Sequence, residues 1–160
     1  MDQDLNPLIH RFGAVETQFL AQAVEVLDPP PPITLPQTVS VREAVQCLQK
    51  NKIGCVLAVD DDGRLTGVFS ERDVVSRVIL KDIDIDKLSL ADVMTKNPRT
   101  EKITTTVAFI LQQMSDGGFR HLPLMDEDDY PIGIVSVKDV LDFIKLELIS
   151  QLIKSEFRGN

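Results

Sequence analysis

Residues 67–73, Gly67-Val68-Phe69-Ser70-Glu71-Arg72-Asp73, return in altered form at 133–139 as Gly133-Ile134-Val135-Ser136-Val137-Lys138-Asp139. Setting Gly67 on Gly133 gives an offset of 133 − 67 = 66, which holds without a gap from Thr34/Thr100 through Leu80/Leu146. Val41/Val107, Gln46/Gln112, Asp60/Asp126, Asp62/Asp128, Ser70/Ser136, Asp73/Asp139 and Val74/Val140 are identical across it. The chain is therefore an internal duplication, and the fold follows from reading one unit twice.

Val41, Ala44, Val45 and Leu48 answer Val107, Ile110, Leu111 and Met114, each set spaced i, i+3, i+4, i+7, so each unit opens with a helix. Short apolar runs follow, Cys55 to Val59 and Leu122 to Met125, ended by Asp60-Asp61-Asp62-Gly63 and Asp126-Glu127-Asp128-Asp129. Those compositions suit hairpin turns, which return the chain as second strands, Leu65 to Phe69 and Ile132 to Val135. Ser70 and Ser136 then open second helices with expected inner faces Val74, Val75, Val78, Ile79 and Val140, Leu141, Ile144, Leu148. With a short leading strand near Thr34 or Thr100, each unit reads β-α-β-β-α, an α+β class. About 50 residues bury too little apolar surface to be stable alone, so the two units are expected to pack sheet to sheet about a pseudo-twofold axis. Two equivalent clefts would lie between them.

Around the repeats, the expected organisation is an N-terminal amphipathic helix and Pro-rich linker at 1–32, first repeat 33–81, connector 82–97, second repeat 98–148 and a C-terminal helix extension 149–160. The N-terminal helix is read over 5–27 from Phe12, Val15, Phe19, Ala23 and Val26. Pro29-Pro30-Pro31-Pro32 ends it, because proline cannot donate to a helix ladder and favours an extended form.

Composition bounds the function. The 160 residues carry 17 basic and 25 acidic side chains, a net charge of −8, with 43% apolar and 26% charged residues, which is an ordinary globular balance. The acidic excess argues against a general nucleic-acid binder, whose affinity rests on basic groups. No run of 18 apolar residues offers a membrane span, and Met1-Asp2-Gln3-Asp4 lacks the basic, apolar start of a secretory signal. Cys47 and Cys55 fit neither a disulfide framework nor a metal clip and are expected to be reduced thiols of a cytoplasmic protein. No metal site is expected. Asp82, Asp84 and Asp86 start like a calcium loop, but Lys87 stands where that loop needs glycine and Val93 where it needs glutamate. No catalytic residue is expected either: no Gly-x-Ser-x-Gly elbow exists, and neither repeated serine has a histidine in its motif.

The Ser-x-x-Asp segments have a structural reading and a binding one. Structurally, each is a helix cap with the acid reaching back to the serine. As a binding element, a carboxylate accepts two hydrogen bonds, which suits ribose hydroxyls, while the serine and Arg72 or Lys138 could hold phosphate. Arg120 and His121 stand where the first repeat has Gly54 and Cys55, and could add charge-assisted bonds. The expectation is that Arg120, His121 and Lys138 converge on the second-repeat motif and make it the stronger phosphate site.

Three features together resemble the CBS domain, which occurs in tandem pairs called Bateman modules. They are the two Gly-apolar-x-Ser-x-x-Asp segments, the strand entries Ile53-Gly54-Cys55-Val56-Leu57 and Phe119-Arg120-His121-Leu122-Pro123-Leu124, and the connector Val93-Met94-Thr95-Lys96-Asn97-Pro98. The resemblance spans about residues 33–147. It implies two tandem CBS repeats that bind AMP, ADP, ATP or S-adenosylmethionine in the inter-repeat clefts, with no cofactor required. Asp73 and Asp139 would take ribose hydroxyls and Ser70 and Ser136 phosphate. Thr34 and Thr100, with the backbone at Gly54, Cys55, Val56 and at His121, Leu122, Pro123, would surround the base. The function expected is a free-standing, non-enzymatic regulatory module that signals ligand occupancy to an unidentified effector protein in trans. The alternative is a structural dimerisation adaptor with empty clefts. A homodimer is expected in either case, through Phe12, Val15 and Phe19 of the first helix and Leu148, Ile149, Leu152, Ile153 and Phe157 of the last.

Overall fold

A computed structural model describes residues 17–79 and 84–157. The first repeat runs β1 (Thr34–Pro36), α1 (Val41–Asn51), β2 (Cys55–Val59), β3 (Leu65–Ser70) and α2, an α-helical turn Glu71–Asp73 that widens into a π-helical stretch Val74–Val78. A short helix α3 (Leu90–Val93) and strand β4 (Thr95–Lys96) lead to the second repeat: β5 (Glu101–Lys102), α4 (Val107–Gly117), β6 (His121–Met125), β7 (Pro131–Ser136) and α5 (Val137–Phe157). The two sheets have strand orders β1-β2-β3-β4 and β5-β6-β7. In each, the leading strand runs parallel to the next and the hairpin antiparallel, with Cys55 opposite Ser70 and His121 opposite Ser136, the same register 66 residues apart. The β-α-β-β-α reading holds in both units.

Local chemistry sets the boundaries twice over. Ser40 caps α1 with Glu43 in a capping box, and Thr106 caps α4 by accepting from the Phe109 amide. Both helices end on a left-handed residue, Lys52 and Gly118. In the hairpins, the Asp60 and Asp126 carboxylates each accept two turn amides, and the left-handed position is filled by Gly63 in one and Asp129 in the other.

Cores sit under each sheet. Val41, Ala44, Leu48, Val56, Ala58, Phe69 and Val78 form the first, while Val107, Ile110, Met114, Leu122, Leu124, Val135 and Val140 form the second. Each is completed from outside its own repeat. Leu90, Val93 and Met94, which precede the second repeat, close the first core, and Val24, which precedes the first repeat, closes the second. Val24 and Leu90 are both fully buried and themselves 66 residues apart. Backbone pairing repeats as well. Leu90 donates to the Val39 carbonyl (2.8 Å) and Val41 to Leu88 (2.9 Å); Val24 donates to Thr105 (2.7 Å) and Val107 to Gln22 (2.9 Å).

This exchange corrects the expected N-terminal helix. Residues up to 16, including Phe12 and Val15, lie outside the described part; beyond them the chain forms two 3-10 turns, Gln18–Ala21 and Val24–Leu27, with Gln22 and Ala23 extended between them. The peptide groups there are committed to the second repeat, so they cannot continue a helical ladder. Phe19 is buried, edge-on to Phe143 at 5.8 Å, and covers its own module rather than offering an interface. The inner faces are also narrower than expected. Val78 and Val140 are buried, but Val75, Ile79 and Leu141 face outward at 56%, 66% and 56% exposure, because a helix lying on a sheet buries one i, i+4 stripe and turns the next position away.

The pseudo-twofold axis can be located from residues that touch their own counterparts. Arg64 and Tyr130 are related by the 66-residue offset, and the Arg64 guanidinium lies over the Tyr130 ring at 5.1 Å while donating to the Asp128 carbonyl (3.1 Å). That pair therefore sits on the axis, between the two hairpin turns.

Because each core borrows a residue from a distant segment, damage should cross repeats. Leu90→Ala is expected to cost about 2–5 kcal/mol, roughly 5–15 °C in melting temperature for a chain of this size. In amide hydrogen exchange, Val24→Ala should loosen α4 and β6 more than α1 and β2, although it lies nearer the latter in sequence. Faster exchange confined to the first repeat would contradict the exchanged-segment architecture.

Candidate functional site

Both Ser-x-x-Asp segments fold as caps. Asp73 Oδ2 accepts from the Ser70 amide (2.9 Å) and hydroxyl (2.8 Å), and Asp139 Oδ2 accepts from the Ser136 amide (2.7 Å) and hydroxyl (2.6 Å). One oxygen of each acid is thus occupied, so a ribose bound to both oxygens would have to share it. Their other oxygens differ in surroundings. Asp73, 7% exposed, turns Oδ1 to the Arg77 Nε at 3.3 Å. Arg77 also donates to the Val93 carbonyl (2.9 Å) and the Thr95 hydroxyl (3.1 Å), tying the acid to the exchanged segment. One turn after Asp139 the corresponding residue is Phe143, which carries no charge.

A cavity of about 390 Å³ opens in front of the first motif. Gly54, Ser70, Arg72, Asp73 and Arg77 line it from the first repeat, Thr95 and Arg99 from the connecting segment, and Gly118, Arg120 and His121 from the second. Its volume is within the range of small-molecule pockets. The walls cross between repeats, which corrects the expected convergence. Arg120 and His121 face the Ser70–Asp73 motif, while the Lys138 ammonium pairs with Asp142 on the exposed side of α5. Neither Thr34 nor Thr100 lines this cavity, and Cys55, Val56, Leu122 and Pro123 are buried strand residues.

Two contacts join the cleft walls. Arg72 donates to the Gly118 carbonyl (2.8 Å), just past the end of α4. A Cβ on Gly54 would fall 2.9 Å from the His121 imidazole, so glycine is what allows the two strand entries to meet. Burial pushes the His121 pKa below the usual imidazole range, against the charges of Asp139 and Glu71. Burial also pushes the Cys55 thiol up to about 12, with the Asp73 charge adding to it, so this thiol is neutral and unreactive at ordinary pH.

Arg77, Thr95 and Arg99 were not expected at the site. The signal was present for two of them, since Arg77 lies one turn beyond Asp73 and Thr95 lies in the connector, but only the folded chain brings Arg99 alongside. Among the described residues no group of three His, Cys, Asp or Glu side chains could hold a metal, and no helix is long and apolar enough to cross a membrane. The expected acidic linker is used locally: Asp86 pairs with Arg42 and Asp84 with Lys87 (2.8 Å), while Asp82 lies outside the described residues.

Comparison with known proteins agrees with this geometry. The CBS domain family model matches twice, at residues 24–80 and 90–146, again 66 residues apart. A CBS domain-containing protein of Arabidopsis thaliana, CBSCBSPB1, is 30% identical over 97 residues; the match covers 61% of this chain but 18% of that protein, so the chain spans about a fifth of the length of such relatives. Among solved structures, a CBS-domain containing protein from Agrobacterium tumefaciens is 32% identical with a TM-score of 0.68, covering 76% of this chain and 97% of its own. A CBS domain protein from Pyrobaculum aerophilum complexed with AMP is 28% identical with a TM-score of 0.71, covering 81% and 98%. The CBS domain pair of protein MJ0100, in complex with 5′-methylthioadenosine and S-adenosyl-L-methionine, is 25% identical with a TM-score of 0.70, covering 79% and 97%. With both of its repeats matched by the family model and the same cleft-forming architecture, the chain belongs to the CBS domain family as a tandem pair.

Proposed function

We propose that this chain is a regulatory module that binds an adenosine-type ligand in the inter-repeat cleft and passes occupancy to a partner protein. The observation that carries this reading is the cleft itself, whose polar groups come from both repeats and the segment joining them. A ligand there would touch both repeats and the segment that joins them. The AMP complex of the Pyrobaculum aerophilum protein and the methylthioadenosine and S-adenosylmethionine complexes of MJ0100 support the ligand class. In this reading Asp73 Oδ1, which faces Arg77, also accepts from ribose, and Ser70 and Arg72 meet the phosphate. Arg72 already spans the cleft to Gly118, so a phosphate that draws its guanidinium away loosens one link between the repeats and gives occupancy a structural consequence. The module works by binding rather than catalysis, in the cytoplasm.

A homodimer is part of the proposal. Val75 on α2, Ile79 just past its end, and Leu141, Leu146 and Ile149 on α5 are exposed large apolar side chains, more than a solvated helix face ordinarily carries. A second copy is the partner that matches such a face to itself.

Ligand at about 100 times its dissociation constant should stabilise the native state by about 2.7 kcal/mol, a rise of roughly 5–10 °C. Thermal unfolding with and without AMP, ATP or S-adenosylmethionine measures this, and an unmoved transition with all of them favours the adaptor reading. Asp73→Ala should weaken adenosine binding about tenfold to a hundredfold. Ser70→Ala, which removes a capping hydroxyl but leaves the acid, should weaken it less; equal affinities for wild type and Asp73→Ala in calorimetry would remove the ribose role. Light scattering at tens of micromolar should give twice the chain mass, reduced to one chain by Leu141→Asp. A monomeric wild type would reject the dimer.

A further inference from the structure

The charged lining of the Ser70–Asp73 cleft is not repeated at the positions 66 residues away, and we propose that the chain binds one polyphosphorylated nucleotide, a nucleoside di- or triphosphate, in the cleft of Ser70 and Asp73, with Arg99 and Arg120 selecting for phosphate. This rests on the nucleotide reading above and narrows it to one cleft and one charge class.

Four arginines line the first cleft, Arg72, Arg77, Arg99 and Arg120, against two acids, Glu71 and Asp73. In a chain of net charge −8, such a local excess of cations marks where an anion is drawn. Arg77 is spent on Asp73, Val93 and Thr95. The other three keep donors to offer. Arg72 and Arg99 each commit one Nη to a neutral acceptor, the Gly118 carbonyl and the Gln113 side chain, out of five N–H groups per guanidinium. The Arg120 carbonyl accepts from the Val137 amide (3.0 Å), while its side chain is exposed and enters none of the side-chain hydrogen bonds or ion pairs found among the described residues. One phosphate is satisfied by a single bidentate guanidinium and a hydroxyl. Three guanidiniums, carried by α2, the connecting segment and the loop before β6, suit a chain of phosphates.

The positions related to these by the 66-residue offset lack this character. Arg72, Arg77, Arg99 and Arg120 answer to Lys138, Phe143, Ile33 and Gly54. Lys138, the one cation among them, is held by Asp142, and the Phe143 ring is packed on Phe19. Thr95 answers to Pro29, whose ring lies 3.6 Å from where a Cβ on Gly133 would stand. Its neighbour Pro30 accepts from the Ile134 amide (3.3 Å), so the proline run lies along the edge of β7.

Calorimetric titration of the full chain with adenosine, AMP, ADP, ATP, S-adenosylmethionine and inorganic tripolyphosphate tests the proposal. ADP or ATP should bind at least tenfold more tightly than AMP and a hundredfold more tightly than adenosine, with one ligand per chain. Arg99→Ala and Arg120→Ala should each weaken ATP about tenfold and leave adenosine unchanged, Arg120→Lys should recover part of the loss, and Lys138→Ala should change nothing. The Arg120 side chain has no hydrogen-bond or ion-pair partner among the described residues, so its variants should melt with the wild type. Equal affinity for adenosine and ATP, or two equivalent sites per chain, would overturn the proposal while the adenosine reading stands. Binding of tripolyphosphate with no response to any adenosine compound would overturn the nucleotide class and keep the anion cleft. Silence with every probe overturns both.

Discussion

Burial of Val24 and Leu90 in each other's half of the molecule is the constraint on which the rest depends. Neither unit has a closed core without the segment that precedes its twin. The connecting segment reaches the first core directly after leaving it, a short excursion, but the N-terminal segment must reach a core formed about 80 residues later in the chain. Closing that loop costs entropy that grows slowly with its length. Once both segments are seated, the two cores become cooperative, because neither segment can leave without opening a buried face.

The cleft is a by-product of this closure. The connecting segment leaves the first core at Met94, passes Thr95 alongside the first motif, and continues through Pro98 and Arg99 before entering the second sheet at Glu101. The residues that brace Asp73 through Arg77 are therefore the ones that hold the repeats together. Stability and the candidate cleft share one stretch of backbone, which couples them without any moving part being added.

Most of the architecture was legible in the sequence because duplication prints each feature twice. The strands, the caps and the hairpin turns follow from spacing and from Asp, Gly and Ser at turn positions. What could not be read was anything that one repeat does to the other. Phe12 to Val26 has helical periodicity, yet the part of it that is described gives its peptide groups to Thr105 and Val107. Val75, Ile79 and Leu141 are apolar at plausible core positions, and only the packing of helix on sheet turns them outward. Arg120 and His121 follow the same logic: periodicity assigns them to a strand end, while the pseudo-twofold axis decides which motif they face. Lys138 pairs with Asp142 four residues on, a helical spacing already present in the sequence.

The contact between Arg64 and Tyr130 constrains how such a molecule could have arisen. A residue beside a twofold axis meets its own copy, so two identical repeats would place arginine against arginine, or tyrosine against tyrosine, at this point. The first confronts like charges; the second loses the cation that now lies over the ring. At an axis, then, symmetry and complementarity cannot both be kept by a charged pair. Positions remote from it can stay identical indefinitely, as Ser70/Ser136 and Asp73/Asp139 have, but these must differ for attraction to replace repulsion. Sharing one chain lets the two halves vary independently, a freedom denied to a symmetric pair of identical single repeats.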